Sequence, residues 1–309
     1  MMPLVGRLAP SPTGAQHLGN ARTFILAWLS LRTRGGQVVL RLEDIDSPRI
    51  KAGADQQAID DLRWLGLDWD AGPFVQTERL DLYHASLAQL QAAERIYPCT
   101  CTRTDVAAAA SAPHVGQEGP RYPGTCAHRT AGDAQRLTVP YCWRFRTSDR
   151  VRAYHDLVAG PQQINVARDL GDFVVAKVDG TPAYQLAVVV DDHAMHVTEV
   201  LRGDDLLNSA FRQLELYEFF GWTPPQFAHV PLVVGTDGRR LAKRHGDTRL
   251  ATFRAAGITP AQLLGLIAWS CGWQADRQPC SLSDLLSRFT LATLPRTPFV
   301  FDEGMLSVR

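Results

Sequence analysis

The sequence predicts an α/β protein with a parallel-sheet domain, interrupted by a β-rich insertion and followed by a short helical region. Three observations lead there. Strand-like and helix-like stretches alternate through the first hundred residues, the order that builds parallel sheets with right-handed crossovers. Apolar residues fill 45% of 309 positions, enough for a sizeable core. Composition shifts after Tyr97, and the buried apolar style returns at Tyr184.

The elements follow in order. Leu4 to Ala9 is a short apolar strand that ends in a rigid turn, Pro10-Ser11-Pro12-Thr13-Gly14. From Asn20 to about Arg34, Phe24, Leu26, Ala27, Leu29 and Leu31 recur at helical spacing, and Gly35-Gly36 stops the helix. A second apolar strand starts at Gln37 and ends in carboxylates, Glu43, Asp44 and Asp46. Two helices are expected next, Ala54 to Leu65 and Leu80 to Glu94. Ligands of parallel sheets bind at the carboxyl ends of strands, so the turn at 10–19 and the acidic end at 43–46 should share one rim.

Residues 98–130 are rich in Ala, Pro, Gly and Cys, and strand-like pieces follow at Tyr141–Arg146 and Gly171–Val178. Tyr184 to Asp192 reads as a buried parallel strand, as does the stretch from His196 to Gly203. A loop at 235–246 gathers Gly235, Gly238 and a cluster of Arg and Lys. The tail from Ile258 reads as helix, with Leu263, Leu264, Leu266 and Ile267 on its apolar side.

Charge excludes some functions. Lys plus Arg and Asp plus Glu both number 32, which argues against binding nucleic acid by bulk basicity but permits a local basic face. Apolar stretches such as Leu186–Val190 and Leu263–Trp269 fall far below the roughly eighteen residues of a membrane span. The start MMPLVGRLAPSPTG lacks a basic segment followed by an apolar one, so no secretory signal is expected. A cytoplasmic protein without membrane contact is the expectation. Six Cys are too few for a disulfide scaffold. Cys142 and Cys271 read as core residues, while Cys99, Cys101 and Cys126 cluster.

Three motifs carry chemistry. In Pro10 to Asn20 a strand and a Gly-bearing turn lead to His17 at a helix start, the way a fold offers an imidazole and backbone N–H groups to phosphate. Gly14 and Gly19 permit close backbone approach. Arg239-Arg240-Leu241-Ala242-Lys243-Arg244-His245-Gly246 is a basic loop after a strand; alone it reads equally as a solvated loop. Cys99, Cys101 and Cys126 offer soft donors for tetrahedral Zn²⁺, with His114 and His128 as nearby rivals for a fourth position.

Together the first two motifs resemble the signatures of class I aminoacyl-tRNA synthetases, His17-Leu18-Gly19-Asn20 the HIGH motif and Arg240 to Arg244 the KMSKS loop. Gly6–Gly14, Arg41–Asp46, Gly171–Phe173 and Arg202–Leu207 resemble glutamyl-tRNA synthetases. The stretch 184–192 resembles their truncated paralogues, the glutamyl-Q tRNA(Asp) synthetase family. The resemblance implies a Rossmann-like catalytic domain at 1–97 and 184–240 and a zinc-bearing, acceptor-binding-like insertion at 98–183. It implies a KMSKS-like loop and helical stem-contact-like region at 241–309, where Phe301–Leu306 matches. The residues after the loop are too few for an anticodon-binding domain, so none is expected.

The implied activity is activation of L-glutamate with ATP and Mg²⁺, without tRNA, and transfer to the queuosine base of tRNA(Asp). A carboxylate needs no general base, so catalysis should come from placement and charge neutralisation. His17 and Lys243 are the expected donors to phosphate, with Gly19 and Asn20 at the ATP site. A buried carboxylate substrate calls for guanidinium. Arg7 and Arg202 match glutamate-binding positions, as do Ser11, Glu43 and Tyr184, with Glu43 suited to the α-ammonium. The family holds one structural zinc with three Cys and a Tyr, matching Cys99, Cys101, Tyr122 and Cys126. The loop departs from the family pattern at Arg240, in place of a lysine, and at Ala242, where Ser or Thr is usual. That bears on loop dynamics or ATP affinity. A monomer is expected.

Other readings stay open. Arg7 or Arg202 could pair structurally with Asp44 or Asp204, and Tyr184 could be strand packing. His155, His193, His196 and His229 show no partner spacing and read as surface or core residues. The chain could also be a truncated glutamyl- or glutaminyl-tRNA synthetase that charges a 3′ end, or a non-catalytic RNA-binding module.

Overall fold

A computed structural model describes residues 3–12, 15–45, 52–109, 121–241 and 247–306. The chain opens with β1 (Val5–Leu8), α1 (Leu18–Arg32), β2 (Gln37–Leu42), α2 (Ala54–Trp64), β3 (Ala71–Val75) and α3 (Leu80–Ala92). β2 lies between β1 and β3, parallel to both, with Val5 opposite Gln37. The expected strands and helices are present. β3 is an addition: its sequence AGPFV is exposed or half-buried and starts on Gly-Pro, so it lacks the alternation that marks a strand. α1 ends as its glycines dictate. Gly35 takes φ +67° and the Gly36 N–H returns to the Leu31 carbonyl at 2.9 Å, a left-handed closure that suits Gly.

The insertion contains β4 (Ile96–Cys99), α4 (Arg103–Ala109), β5 (Cys142–Phe145), β6 (Val151–Asp156), β7 (Gly160–Asn165), the single turn α5 (Val166–Asp169) and β8 (Phe173–Ala176). β4, β5 and β8 form an antiparallel sheet, and β6 and β7 a separate hairpin. The hairpin was not expected, because its strands VRAYHD and GPQQIN carry few apolar residues.

The chain then returns through α6 (Tyr184–Ala194), β9 (Glu199–Gly203), α7 (Leu207–Phe220), β10 (Gln226–Val230) and β11 (Val233–Val234). The stretch from Tyr184 to Asp192, expected as a strand, is the helix α6. Seven consecutive residues, Leu186 to Asp192, are buried on every side of it. A continuous buried run has no amphipathic period, so pattern alone cannot separate helix from strand. The later strand at 196–203 is present as β9. β9 and β10 pair in parallel, and β9 lies against β1, where the Thr198 N–H donates to the Val5 carbonyl at 2.8 Å.

The tail comprises α8 (Leu250–Ala255), α9 (Pro260–Ser270), α10 (Leu282–Arg288) and β12 (Phe299–Val300), the last pairing with β11. Thr259 and Gln262 cap α9 reciprocally and Pro260 starts it, a favourable helix entry. One core joins α1, the parallel strands and α9. A second joins Phe145 and Phe173 of the insertion sheet to Leu186, Val189 and Leu216 of α6 and α7. Among the described residues no helix is long and apolar enough to cross a membrane.

Candidate active site

The expected residues converge at the carboxyl ends of the parallel strands. Arg7 lies near the end of β1, Glu43 just past β2, Arg202 near the end of β9, and Tyr184 opens α6. Arg7 and Arg202 are almost fully buried. Tyr184 feels the charges of Arg202, Glu43 and Arg7, so the four form one electrostatic cluster. Ser11 joins its edge by donating to the Glu43 carbonyl at 3.1 Å, and the Glu43 N–H donates to the Pro10 carbonyl at 3.0 Å. The turn and the acidic strand end therefore share a rim, as the strand order requires.

Neither structural pairing suggested for the arginines occurs. Asp44 accepts from the Thr77 N–H and hydroxyl. Arg7 donates to the Leu201 carbonyl at 3.2 Å and stands 3.8 Å from Asp192. Arg7 Nε and Arg202 Nη1 are buried and have no hydrogen-bond partner, an arrangement that favours an anionic ligand.

Arg41 supports this cluster from beneath. It is fully buried and contacts Asp192 at 2.7 Å and Glu43 at 3.0 Å. Asp191 on the same helix accepts from Arg79, Gln76 and Tyr83 at 2.7–3.0 Å. Burial lifts the Glu43 carboxyl above its ordinary range, against the pull of Arg41 and Arg7. A desolvated carboxylate of that kind gains from an incoming cation.

The neighbouring side of the rim is built by α1. His17 is its N-cap: Nδ1 accepts the Gly19 N–H at 3.1 Å, and the Asn20 side chain accepts the His17 N–H at 3.2 Å. With Nδ1 used as an acceptor, a neutral imidazole carries its proton on Nε2 and can donate it to a ligand. Burial, then the Arg240 cation, pushes the His17 pKa down to about 4. At Gly19 an added Cβ would lie 3.0 Å from the His17 ring, so the glycine keeps the imidazole in place.

The second motif reaches the first. Arg240 pairs with Asp205 at 2.9 Å, and both act on His17. Leu18 N–H donates to the Thr248 carbonyl, and Leu250 N–H to the Gln16 carbonyl, at 3.0 and 2.9 Å. Lys243, with Ala242 and Arg244, lies outside the described residues, as do Thr13 and Gly14.

The cysteine cluster is a second centre. The sulfurs of Cys99, Cys101 and Cys126 lie within 4.8 Å of one another, with Cys101 and Cys126 3.7 Å apart. A tetrahedron with Zn–S bonds of about 2.3 Å has an edge near 3.8 Å, so the spacing fits a metal. The Tyr122 hydroxyl sits 3.3 Å from the Cys99 sulfur and 3.9 Å from that of Cys101. His128 is exposed and does not join the cluster, and His114 lies outside the described residues. Cys142, expected only as core, stands opposite Cys99 in the β4–β5 register. Its thiol, against burial and aided by Tyr122, pulls the Cys99 thiol downward. A cleft of about 510 Å³ between this region and the starts of α6 and α7 is lined by Tyr122, Arg144, Asp172, Tyr184, Gln185 and Arg212.

Sequence reasoning missed the partners of Arg202. His229 is wholly buried on β10, directly opposite Arg202 in the parallel register. Its Nε2 meets Arg202 Nε at 3.0 Å and its Nδ1 meets Asp156 at 2.6 Å. The available signal was a histidine and an arginine each two residues before a turn following an apolar strand.

Comparison with known proteins fits this geometry. Residues 3–307 match the family described as tRNA synthetases class I (E and Q), catalytic domain. A glutamyl-Q tRNA(Asp) synthetase of Rhodopirellula baltica is 51% identical over 98% of both chains. One from Symbiobacterium thermophilum is 50% identical over 96% of this chain and 95% of its own. A glutamate–tRNA ligase 2 of Syntrophus aciditrophicus is 41% identical over 97% of this chain but 64% of its own. The solved structure of a glutamate tRNA ligase from Elizabethkingia meningosepticum, in complex with its amino acid, superposes with a TM-score of 0.83. It is 27% identical and covers 99% of this chain and 68% of its own.

Proposed function

The chain belongs to the class I tRNA synthetases of the glutamate and glutamine branch, and from that premise we propose that it is a glutamyl-Q tRNA(Asp) synthetase. It activates L-glutamate with ATP and transfers the glutamyl group to the queuosine base at the anticodon wobble position of tRNA(Asp). Matches along the whole length of glutamyl-Q tRNA(Asp) synthetases, in both directions, support this acceptor. The observation that carries the chemistry is the buried pair Arg7 and Arg202, each with a guanidinium nitrogen lacking a hydrogen bond, beside Glu43.

In this reading Arg7 and Arg202 hold the side-chain carboxylate of glutamate, with Tyr184 and Ser11 alongside. Glu43 takes the α-ammonium, which relieves the burial that lifts its pKa. The α-carboxylate oxygen attacks the α-phosphorus of ATP and pyrophosphate leaves. His17 Nε2–H, the N–H groups opening α1 near Gly19 and Asn20, and Lys243 stabilise charge on the phosphates. Mg²⁺ on the pyrophosphate adds to that neutralisation. A nucleophilic group of the queuosine base then attacks the glutamyl carbonyl and AMP leaves. The cleft beside Tyr184 supports entry of the base from the insertion side.

Cys99, Cys101, Cys126 and Tyr122 hold one structural Zn²⁺ in this reading, with no position left for a catalytic water. The sulfur spacing and the Tyr122 hydroxyl beside Cys99 and Cys101 support it.

The test is transfer of labelled glutamate to tRNA(Asp) with and without queuosine, and to tRNA(Glu). Labelling of queuosine-bearing tRNA(Asp) alone is expected. Labelling of tRNA(Glu) would make the chain a minimal 3′-end charging enzyme, and labelling of neither a non-catalytic RNA-binding module.

A further inference from the structure

Arg202 is held on three sides. Its Nε donates to His229 Nε2 at 3.0 Å, its Nη2 to the Leu206 carbonyl at 3.3 Å, and its plane lies 5.3 Å over the Phe227 ring. Nη1 alone lacks a hydrogen bond. An arginine has no acceptor, so His229 Nε2 must present a lone pair. The imidazole proton therefore sits on Nδ1 and is donated to Asp156 Oδ2 at 2.6 Å.

Asp156 is itself fixed. Its Oδ1 accepts the N–H groups of Val158, Ala159 and His229 at 3.0, 2.8 and 3.0 Å. All three side chains of the relay are almost completely buried. Asp156 ends β6, so the hairpin of the insertion reaches back onto β10, where the Leu157 N–H also donates to the Phe227 carbonyl at 2.9 Å. Burial holds the His229 imidazole neutral against the attraction of Asp156. Burial also resists ionisation of Asp156, but the hydrogen bonds from His229 and Ala159 outweigh it and keep the carboxylate charged.

We propose that Asp156 and His229 are positioning residues for glutamate recognition: they lock the tautomer and the rotamer that turn the remaining edge of Arg202 to the substrate carboxylate. The proposal rests on the reading of Arg202 as a glutamate ligand. The inserted hairpin is thereby part of the amino-acid site, although neither residue touches the substrate. Outer partners of this kind orient the residues that do touch a ligand.

The experiment is ATP–pyrophosphate exchange with His229→Phe, which removes the acceptor, and Asp156→Asn. The Asn oxygen is retained by the three N–H groups, so its amide faces Nδ1 and forces the opposite tautomer, setting Nε2–H against Arg202. Both variants are expected to raise KM for glutamate about 10- to 100-fold, with KM for ATP near that of the parent and a lowered melting temperature, because each leaves a buried partner unpaired. His229→Gln, whose amide oxygen reaches the Nε2 position, should restore much of the loss. An equal rise in both KM values, with no recovery in His229→Gln, would overturn the proposal in favour of a packing role. Arg202→Ala separates the two levels. If it leaves KM for glutamate unchanged, the reading beneath fails; if it alone raises that KM, only the relay fails. For the unmodified protein, ¹⁵N shifts should show His229 protonated at Nδ1 only, and a proton on Nε2 would refute the relay without any variant.

Discussion

His17 shows how much one side chain settles. Its Nδ1 must stay unprotonated to receive the Gly19 N–H, and burial beside Arg240 resists a second proton down to about pH 4. The unfolded chain accepts that proton near its ordinary pKa, about 6.5. Between those values the unfolded state binds more protons, so this residue lowers stability as pH falls from 6.5 towards 4 and has no effect above 6.5. Melting temperatures of the parent and of His17→Asn should therefore diverge in shape across that window, because Asn caps the helix without titrating. Parallel profiles would refute the assignment. Lys243 makes a complementary case. Lys243→Ala should abolish glutamyl-adenylate formation while leaving the melting temperature unchanged, and near-normal pyrophosphate exchange would remove the loop from the mechanism. Both residues were legible because each stands in a motif of fixed order. His229 and Asp156 were not, since they lie 73 residues apart and only the β9–β10 register and the hairpin bring them to Arg202.

At the level of elements, the site depends on one joint between β2 and α6. Arg41 on the strand meets Asp192 on the helix and Glu43 beyond the strand end, all deeply buried. Arg41→Met would leave those carboxylates without their central cation, a loss of about 3–5 kcal/mol for breaking a buried pair from one side. The midpoint of urea unfolding should fall accordingly, and a shift below about 1 kcal/mol would mean that water or Arg7 replaces the pairing. The same joint explains where the sequence misled. Tyr184–Asp192 carries three consecutive valines and suits a strand by propensity, yet it is a helix surrounded by protein on every side. Its two buried aspartates then make sense. They sit where Arg41, Arg79 and Tyr83 converge, a demand no local pattern announces. The amphipathic helix α2 was legible from its one buried face, and α9, β1 and β2, buried along their interiors, from sharp Gly or Pro boundaries.

Across the whole molecule, the insertion is not an appendage. Ile96, Trp143, Phe145, Phe173 and Val175 share one core with Leu186, Val189, Val190 and Leu216, and the β6–β7 hairpin ends on β10 beside Arg202. Composition reported a change of style after Tyr97, but it could not report that the two styles pack into a common interior. The cysteine cluster proposed to hold zinc adjoins this shared core, since Cys99 ends β4, whose Ile96 lies in it, and faces Cys142 on β5. A bound metal stabilises the native chain by mass action, and here that effect must reach α6 and α7 through the second core. Chelation, or Cys101→Ser, should therefore move a single calorimetric transition downward, by about 2–4 °C for each 1 kcal/mol of metal binding lost. It should also raise KM for glutamate, because Tyr184 and Arg202 are carried by elements that the insertion supports. Elemental analysis should find one zinc in the parent and less in the variant. A separate early transition, with the main one unmoved and glutamate activation intact, would show instead that the insertion melts alone and leaves the amino-acid site standing.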